Sequence, residues 1–486
     1  MARSYFDFSR RRFLEVASGF AAISASPAQS RVSDFPETDA VAMSMALADR
    51  RVTALELVNS AISRLERVNS SINAVNSTCF EEARNAAQTS FGPMGGVPTL
   101  IKDNRPQRGQ RYTQGSRAYQ NRIAEETSTE VLAIERAGFI SIGRTTLPEF
   151  GLAPTTEAQL CGPTRNPWNL ERSCGGSSGG SAAVVAAGVV PVAYGNDGAG
   201  SIRIPAAACG LVGLKLSRRV AGATTISGLS VNTCLSRSVR DTAAWIATVS
   251  DTELITPRTG GKFRIIANVQ TPLGGNVDPA VVAVFEATIA VLEKLGHRVR
   301  QLPLPYNGRT FVDAFLRRYE AGAASVVAEF EAWARREATE ADLEPYTLGL
   351  AASGRDYTAD QRALDETAIG AACETYMDIF RDAEIYMTPV LGSTAVPIGR
   401  FGPLIEYQEQ KSDLIDYATF SWIHSAAGAP SISLPVGSSP DGLPIGLQFG
   451  ANAGREDLLL QLAYALEREL DWGARKPPLW VGQGSA

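Results

Sequence analysis

Apolar and polar positions recur along this chain with two periods, one helical and one extended. Leu55, Val58, Ile62 and Leu65 fall at three- and four-residue spacings, which predicts an amphipathic helix over residues 53–68. Thr53 and Glu56 supply a capping box at its start. A shorter helix is expected over 38–49, joined by the turn at 50–52. Residues 99–101 form a brief apolar run behind a Gly/Pro turn and read as a strand that delivers Lys102 into the interior. A helix over 126–137 and a strand over 140–143 follow. The small and apolar run at 182–192 is too short to cross a bilayer. It predicts a buried helix leading through Pro191 into a buried strand. Residues 220–234 supply loop and short strand, and 241–250 a helix.

A polar, Pro- and Gly-containing stretch at 256–261 is the best internal joint, read as a boundary between lobes of one fold. Beyond it, a strand at 263–269, a helix opening at Asp278-Pro279 and stopping at Gly296, and a strand at 297–302 make a β-α-β unit. Residues 311–380 are helical and carry Tyr319, Phe330, Trp333, Tyr346, Tyr357 and Tyr376. Aromatics at helical spacing belong more often to a core than to a binding surface. A strand at 385–388, a loop at 391–407, a helix at 415–427, strands at 431–435 and 445–449 and a helix at 456–470 complete the chain. Short apolar strands alternating with helices predict an α/β fold, with residues 29–486 forming one domain.

Composition narrows the function. The 486 residues are 44% hydrophobic and 20% charged, enough to bury a large core. A formal net charge of −5, with no basic patch past the N-terminus, excludes the nucleic-acid binders. Six cysteines without paired spacing and only two histidines give no metal motif and call for no cofactor. The N-terminus stands apart. Ser9-Arg10-Arg11-Arg12-Phe13-Leu14 resembles a twin-arginine export motif and precedes a weakly apolar stretch and small residues up to Ala28. Residues 1–28 are therefore read as a leader that sends the protein to the periplasm or outside the cell. No other run is long and apolar enough for stable membrane insertion.

The chemistry concentrates in residues 173–217, where two glycine-rich loops, 175–180 and 195–200, each end beside serines. A phosphate cradle would need a lysine after a loop, and none follows. Ser178 sits at the centre of a G-x-S-x-G pattern, but a nucleophile elbow needs a preceding strand and a triad histidine, and residues 164–172 read as turn. The third reading makes Ser201 a nucleophile beside a nest of N–H groups at Gly198, Ala199 and Gly200 that could hold an oxyanion. It needs a base.

GGSSGGS, GNDGAGSIRIP and the upstream GVPTLIKDN together resemble the amidase signature family of serine hydrolases. GPTRNPW, CGLVGLK, SRSVRD and APSISLPVG extend the match over nearly the whole chain. The resemblance implies a central mixed sheet flanked by helices on both faces and hydrolysis of a small-molecule amide. It implies a triad of Ser201 as nucleophile, Ser177 as bridging serine after a cis Gly176–Ser177 bond, and Lys102 as base. Gly198, Ala199, Gly200 and Ser201 would form the oxyanion hole, with Ser178, Asp197 and Arg203 in support. Cys174, Asn196 and Ala199 depart from residues common in the family. Residues 147–156 resemble the subgroup of hydrolases that open aminohexanoate cyclic dimers. A homodimer is compatible with these readings. The rival chemistry is a Ser–His–Asp hydrolase using His297 or His424, and the rival class a noncatalytic amidase-like protein or amidotransferase subunit.

Overall fold

The computed structural model describes residues 38–218 and 229–482, except positions 251, 254, 257, 259 and 260. The leader at 1–28 lies outside the described residues, as does half of the joint at 256–261. In chain order the strands are β1 (Val75–Thr78), β2 (Pro98–Lys102), β3 (Ile140–Thr145), β4 (Arg165–Asn166), β5 (Asn169–Ser173), β6 (Val192–Asp197), β7 (Val212–Lys215), β8 (Val231–Ser236), β9 (Arg264–Ala267), β10 (Arg298–Gln301), β11 (Ile385–Pro389), β12 (Ser431–Ser438) and β13 (Pro444–Gly450). The helices are α1 (Ala40–Ala48), α2 (Ala54–Ile72), α3 (Phe80–Gln88), α4 (Thr129–Ala137), α5 (Gly179–Ala186), α6 (Arg203–Cys209), α7 (Val239–Val249), α8 (Pro279–Lys294), α9 (Gly308–Ala334), α10 (Pro345–Gly354), α11 (Ala359–Asp382), α12 (Tyr407–Ala418), α13 (Trp422–Ala426) and α14 (Glu456–Leu470).

Eleven strands form one sheet in the order β1-β3-β2-β6-β8-β7-β12-β13-β11-β9-β10. It is mixed: β2 runs parallel to β3 and β6, β9 runs parallel to β10 and β11, and the other pairings are antiparallel. Successive strand side chains point to opposite faces. Thus Leu100 and Ile101, like Ala193 and Val192, enter different cores. One core is completed by α1, α4, α7, α8 and α14, and the other by α2, α3, α5 and α6. Helices α9 and α11 close a third cluster over Ile266 and Tyr386. The expected α/β sheet with helices on both faces is what the chain forms.

Locally specified elements match their reading. The Thr53–Glu56 capping box is present, Asp278 caps α8 with Pro279 in its first turn, and α14 spans Glu456–Leu470. Three regions differ. β1 and α3 are absent from the sequence reading because β1 has only Val75 buried and so shows no alternating pattern. Residues 164–172, read as turn, contain β4 and β5, a hairpin outside the main sheet. Its exposed positions are polar, so no apolar run announces it. Finally, the helix expected at 415–427 begins at Tyr407 as α12, passes through a tight turn at Thr419–Ser421 and resumes as α13. Tyr407, Gln410, Leu414 and Tyr417 are its buried stripe, and the polar residues between them hide it in the sequence.

Candidate active site

Two neighbouring parallel strands end together. Lys102 is the last residue of β2 and Asp197 the last of β6, so both stand at the carboxyl edge of the sheet, where α/β folds place ligands. Helix α5 starts just past Ser178 at the same edge. Lys102 is fully buried. Its Nζ lies 2.6 Å from Ser177 Oγ, 3.1 Å from Ser178 Oγ and 2.9 Å from Asn196 Oδ1. Burial, reinforced by the nearby Arg105 cation and only partly opposed by Asp197, pushes the Lys102 amine well below its ordinary range.

The loop that carries Ser177 is packed against backbone. A Cβ on Gly176 would lie 2.7 Å from the carbonyl oxygens of Ala153 and Thr155, so only glycine fits there. The Gly176–Ser177 peptide bond is cis, as the resemblance implied. Ser178 N–H donates to Ser201 O at 3.2 Å and joins this loop to the second one.

The second loop is braced from beneath by a buried ion pair. Asp197 accepts from Arg203 Nε at 2.8 Å and Nη2 at 2.9 Å, and from the backbone N–H groups of Gly200, Ile202 and Arg203 at 2.8, 3.3 and 3.3 Å. Burial opposes the Asp197 charge, but Arg203 and these amides outweigh it and hold the carboxyl down at about 2. Arg203 also donates to Ser421 O, Gln448 Oε1 and Ser425 Oγ, which fixes α6 to α13 and β13. Of the three supporting residues, Asp197 and Arg203 are thus structural braces.

One expectation changes here. The Gly200 N–H, expected in the oxyanion nest, points at Asp197. Gly200 serves the loop through its shape instead, with φ +127° and Ser421 Oγ 2.5 Å from where a Cβ would stand. The N–H groups of Gly198, Ala199 and Ser201 have no partner among the described residues. Likewise the Ser201 hydroxyl bonds to no described residue, and it is not hydrogen-bonded to Ser177. It faces a cleft.

That cleft is walled mainly by Leu152, Ile204, Phe315, Tyr319, Tyr346 and Trp422. Tyr319 and Tyr346 both donate from their hydroxyls to Leu152 O, at 3.0 and 3.1 Å, so their ring edges are fixed. The aromatic-rich helices therefore divide their work. Tyr319 and Tyr346 line the cleft, Phe330 and Tyr376 are core, and Trp333 is 67% exposed, contrary to the core expectation.

The family model for "Amidase" matches residues 56–460 of this chain. The chain belongs to the amidase family. It is 34% identical over 481 residues to 6-aminohexanoate-cyclic-dimer hydrolase of Paenarthrobacter ureafaciens, covering 91% of this chain and 96% of that protein. A solved structure of 6-aminohexanoate cyclic dimer hydrolase complexed with substrate superposes with a TM-score of 0.83 at 32% identity, over 91% of this chain and 99% of that one. A bacterial aryl acylamidase of the amidase signature enzymes superposes with a TM-score of 0.80 at 25% identity, over 90% and 99% of the two chains.

This amidase keeps both histidines away from its serines. His424 Nδ1 pairs with the Tyr376 hydroxyl at 2.7 Å, and His297 Nδ1 accepts from Phe263 N–H at 3.0 Å. Although β5 does precede Ser178, that serine is fully buried and does not reach the cleft. Cys174 and Cys209 are buried free thiols whose ionisation burial pushes up. Among the described residues no cluster could hold a metal ion and no helix is long and apolar enough to cross a membrane. One site residue, Asn196, was marked in the sequence only as a departure from the family and given no role. Asn196 Oδ1 accepts from both Lys102 and Asn104 Nδ2, and its Nδ2 donates to Ser230 Oγ at 2.9 Å. Its position one residue before Asp197, at a strand end, was the available signal.

Proposed function

We propose that this amidase cleaves carboxylic acid amides through an acyl-enzyme on Ser201, with Ser177 as proton relay and Lys102 as base. The carrying observation is the 2.6 Å contact between the buried Lys102 Nζ and Ser177 Oγ, on the loop that the Ser178 N–H ties to Ser201 O. A neutral amine has two N–H donors and one lone pair, whereas an ammonium has three donors and none. Asn196 Oδ1 can only accept, and Ser178 Oγ, which donates onward to Asn196 O, accepts as well. In the neutral amine, donating to these two leaves the lone pair for the Ser177 hydroxyl, 2.6 Å away, whereas an ammonium would donate to all three oxygens. A depressed lysine is the one that can hold this neutral state at neutral pH.

As Ser201 Oγ forms its bond to the carbonyl carbon, its proton passes to Ser177 Oγ and the Ser177 proton passes to Lys102. The carbonyl oxygen becomes an oxyanion, with the unpartnered N–H groups of Gly198, Ala199 and Ser201 to receive it. Collapse breaks the C–N bond, and Lys102 returns the proton through Ser177 to the departing amine. Water then adds to the acyl carbon and gives a proton through Ser177 to Lys102, collapse breaks the bond between Ser201 Oγ and the acyl carbon, and the relay returns the proton to Ser201 Oγ as the acid leaves. The apolar cleft beside Ser201 suits linear or cyclic amides with hydrocarbon segments, in keeping with the cyclic dimer for which the related hydrolase is named. Residues 1–28 act in this proposal as an export leader, and replacing Arg10 and Arg11 by lysine should leave the precursor in the cytoplasm; equal export of both forms would remove it.

The test of the nucleophile is covalent. A fluorophosphonate should label Ser201, and Ser201→Ala should lose both labelling and about 10⁴-fold or more of amide turnover while melting like wild type. Labelling at Ser178 would transfer the nucleophile there.

A further inference from the structure

Among the described residues that line the cleft, Lys411 alone is charged. It stands on the buried stripe side of α12, and its side chain keeps 31% of its surface open. One N–H reaches Glu320 Oε1 at 2.7 Å. Glu320 is 4% exposed and takes a second bond at the same oxygen from the Tyr407 hydroxyl at 2.8 Å. The Tyr407 ring centroid lies 5.4 Å from the ammonium. The other two ammonium donors have no partner among the described residues.

A cation held at one fixed point on an otherwise apolar wall is a poor way to fill space, because its free donors must otherwise be satisfied by water. Glu320 already neutralises it. A carboxylate ligand would leave the trio with a net negative charge in apolar surroundings, whereas a neutral carbonyl takes the free donors and adds no charge. We propose that Lys411 selects amide substrates that carry, beyond an apolar spacer from the scissile bond, a second and uncharged hydrogen-bond acceptor such as a further amide or ketone carbonyl. This assignment rests on the amidase reading above. It makes Lys411 a specificity-determining residue of the same cleft as Ser201.

The experiment uses the full chain and anilides in homologous chain-length series, ending in an alkyl group, a methyl ketone of the same length or a carboxylate. One series carries the terminus on the acyl side and a second on the amine side. In at least one series the wild type should prefer ketone to alkyl terminus by about tenfold in kcat/KM, through KM. In Lys411→Met that ratio should fall towards one. Because Lys411→Met leaves Glu320 buried without its cation, Lys411→Met/Glu320→Gln is measured alongside, and the ratio should be lost there too. A flat ratio in wild type in both series, a ratio unchanged in both variants, or a carboxylate preferred to the ketone would each overturn the proposal. Cleavage of the alkyl anilide by wild type but not by Ser201→Ala shows that the amidase reading survives such a failure, while no cleavage of any anilide together with no fluorophosphonate labelling would mean that the amidase reading itself has failed.

Discussion

Lys102 and Lys215 are both fully buried, end strands β2 and β7 of the same sheet, and feel Asp197, yet they stand in regions of different kind. Lys215 Nζ donates to the carbonyl oxygens of Leu216 and Ala429, at 3.1 and 3.0 Å, bonds to no hydroxyl among the described residues, and does not line the cleft. Lys102 Nζ has one amide oxygen and two serine hydroxyls, one of them on the loop beside Ser201. Burial depresses both amines, Lys215 to about 7. A depressed lysine is therefore not in itself a base. What separates the two regions is a neighbour that can give up a proton.

The comparison predicts opposite responses. The largest effect belongs to Lys102→Ala, which should lower amide kcat/KM by about 10³-fold or more with little change in thermal midpoint, and should cost less for an activated ester whose leaving group needs no proton. Comparable losses on amide and ester would place Lys102 with Lys215 as a structural amine. Next, Asp197→Ala leaves Arg203 buried without its anion and should reduce stability by about 3–5 kcal/mol in urea denaturation, since the brace under both regions is gone. A midpoint within error of wild type would separate the oxyanion loop from that brace. The smallest effect is Lys215→Met. Below pH 7 the folded wild type must hold a buried ammonium that the unfolded chain solvates freely. Its stability should therefore climb as pH rises from about 7 towards the ordinary lysine value of 10.5, and Lys215→Met should lack that climb while keeping kcat within about tenfold. A parallel pH dependence in the two proteins would refute the depressed amine.

Those same regions explain what the sequence could tell. Ser201 was legible because tight turns leave a local trace, glycines where a Cβ would strike backbone and serines at strand and helix ends, whereas Ser177 and Lys102 took their roles from the resemblance of GGSSGGS and GVPTLIKDN to a family pattern. The capping box at Thr53 and helix α14 were legible for the same local reason. The cleft wall was not. Tyr319, Tyr346 and Lys411 come from three helices and share a surface only after α9, α10 and α12 pack, and nothing in their spacing distinguishes them from Phe330 in the core. Gly200 was misassigned because a glycine pattern shows where the backbone can bend but not which way an N–H points once Asp197 competes for it.

The central claim is that Lys102 works as a neutral base, and the pH dependence of amide kcat/KM in wild type and Lys102→Arg tests it most directly. In the wild type activity should rise with pH through one ionisation lying well below 10.5, because only the deprotonated amine can take the Ser177 proton. Lys102→Arg keeps a cation at the position but stays protonated, and should be as inactive as Lys102→Ala across the whole range. Near-wild-type amide turnover in Lys102→Arg would contradict the account, since a positive charge alone would then suffice.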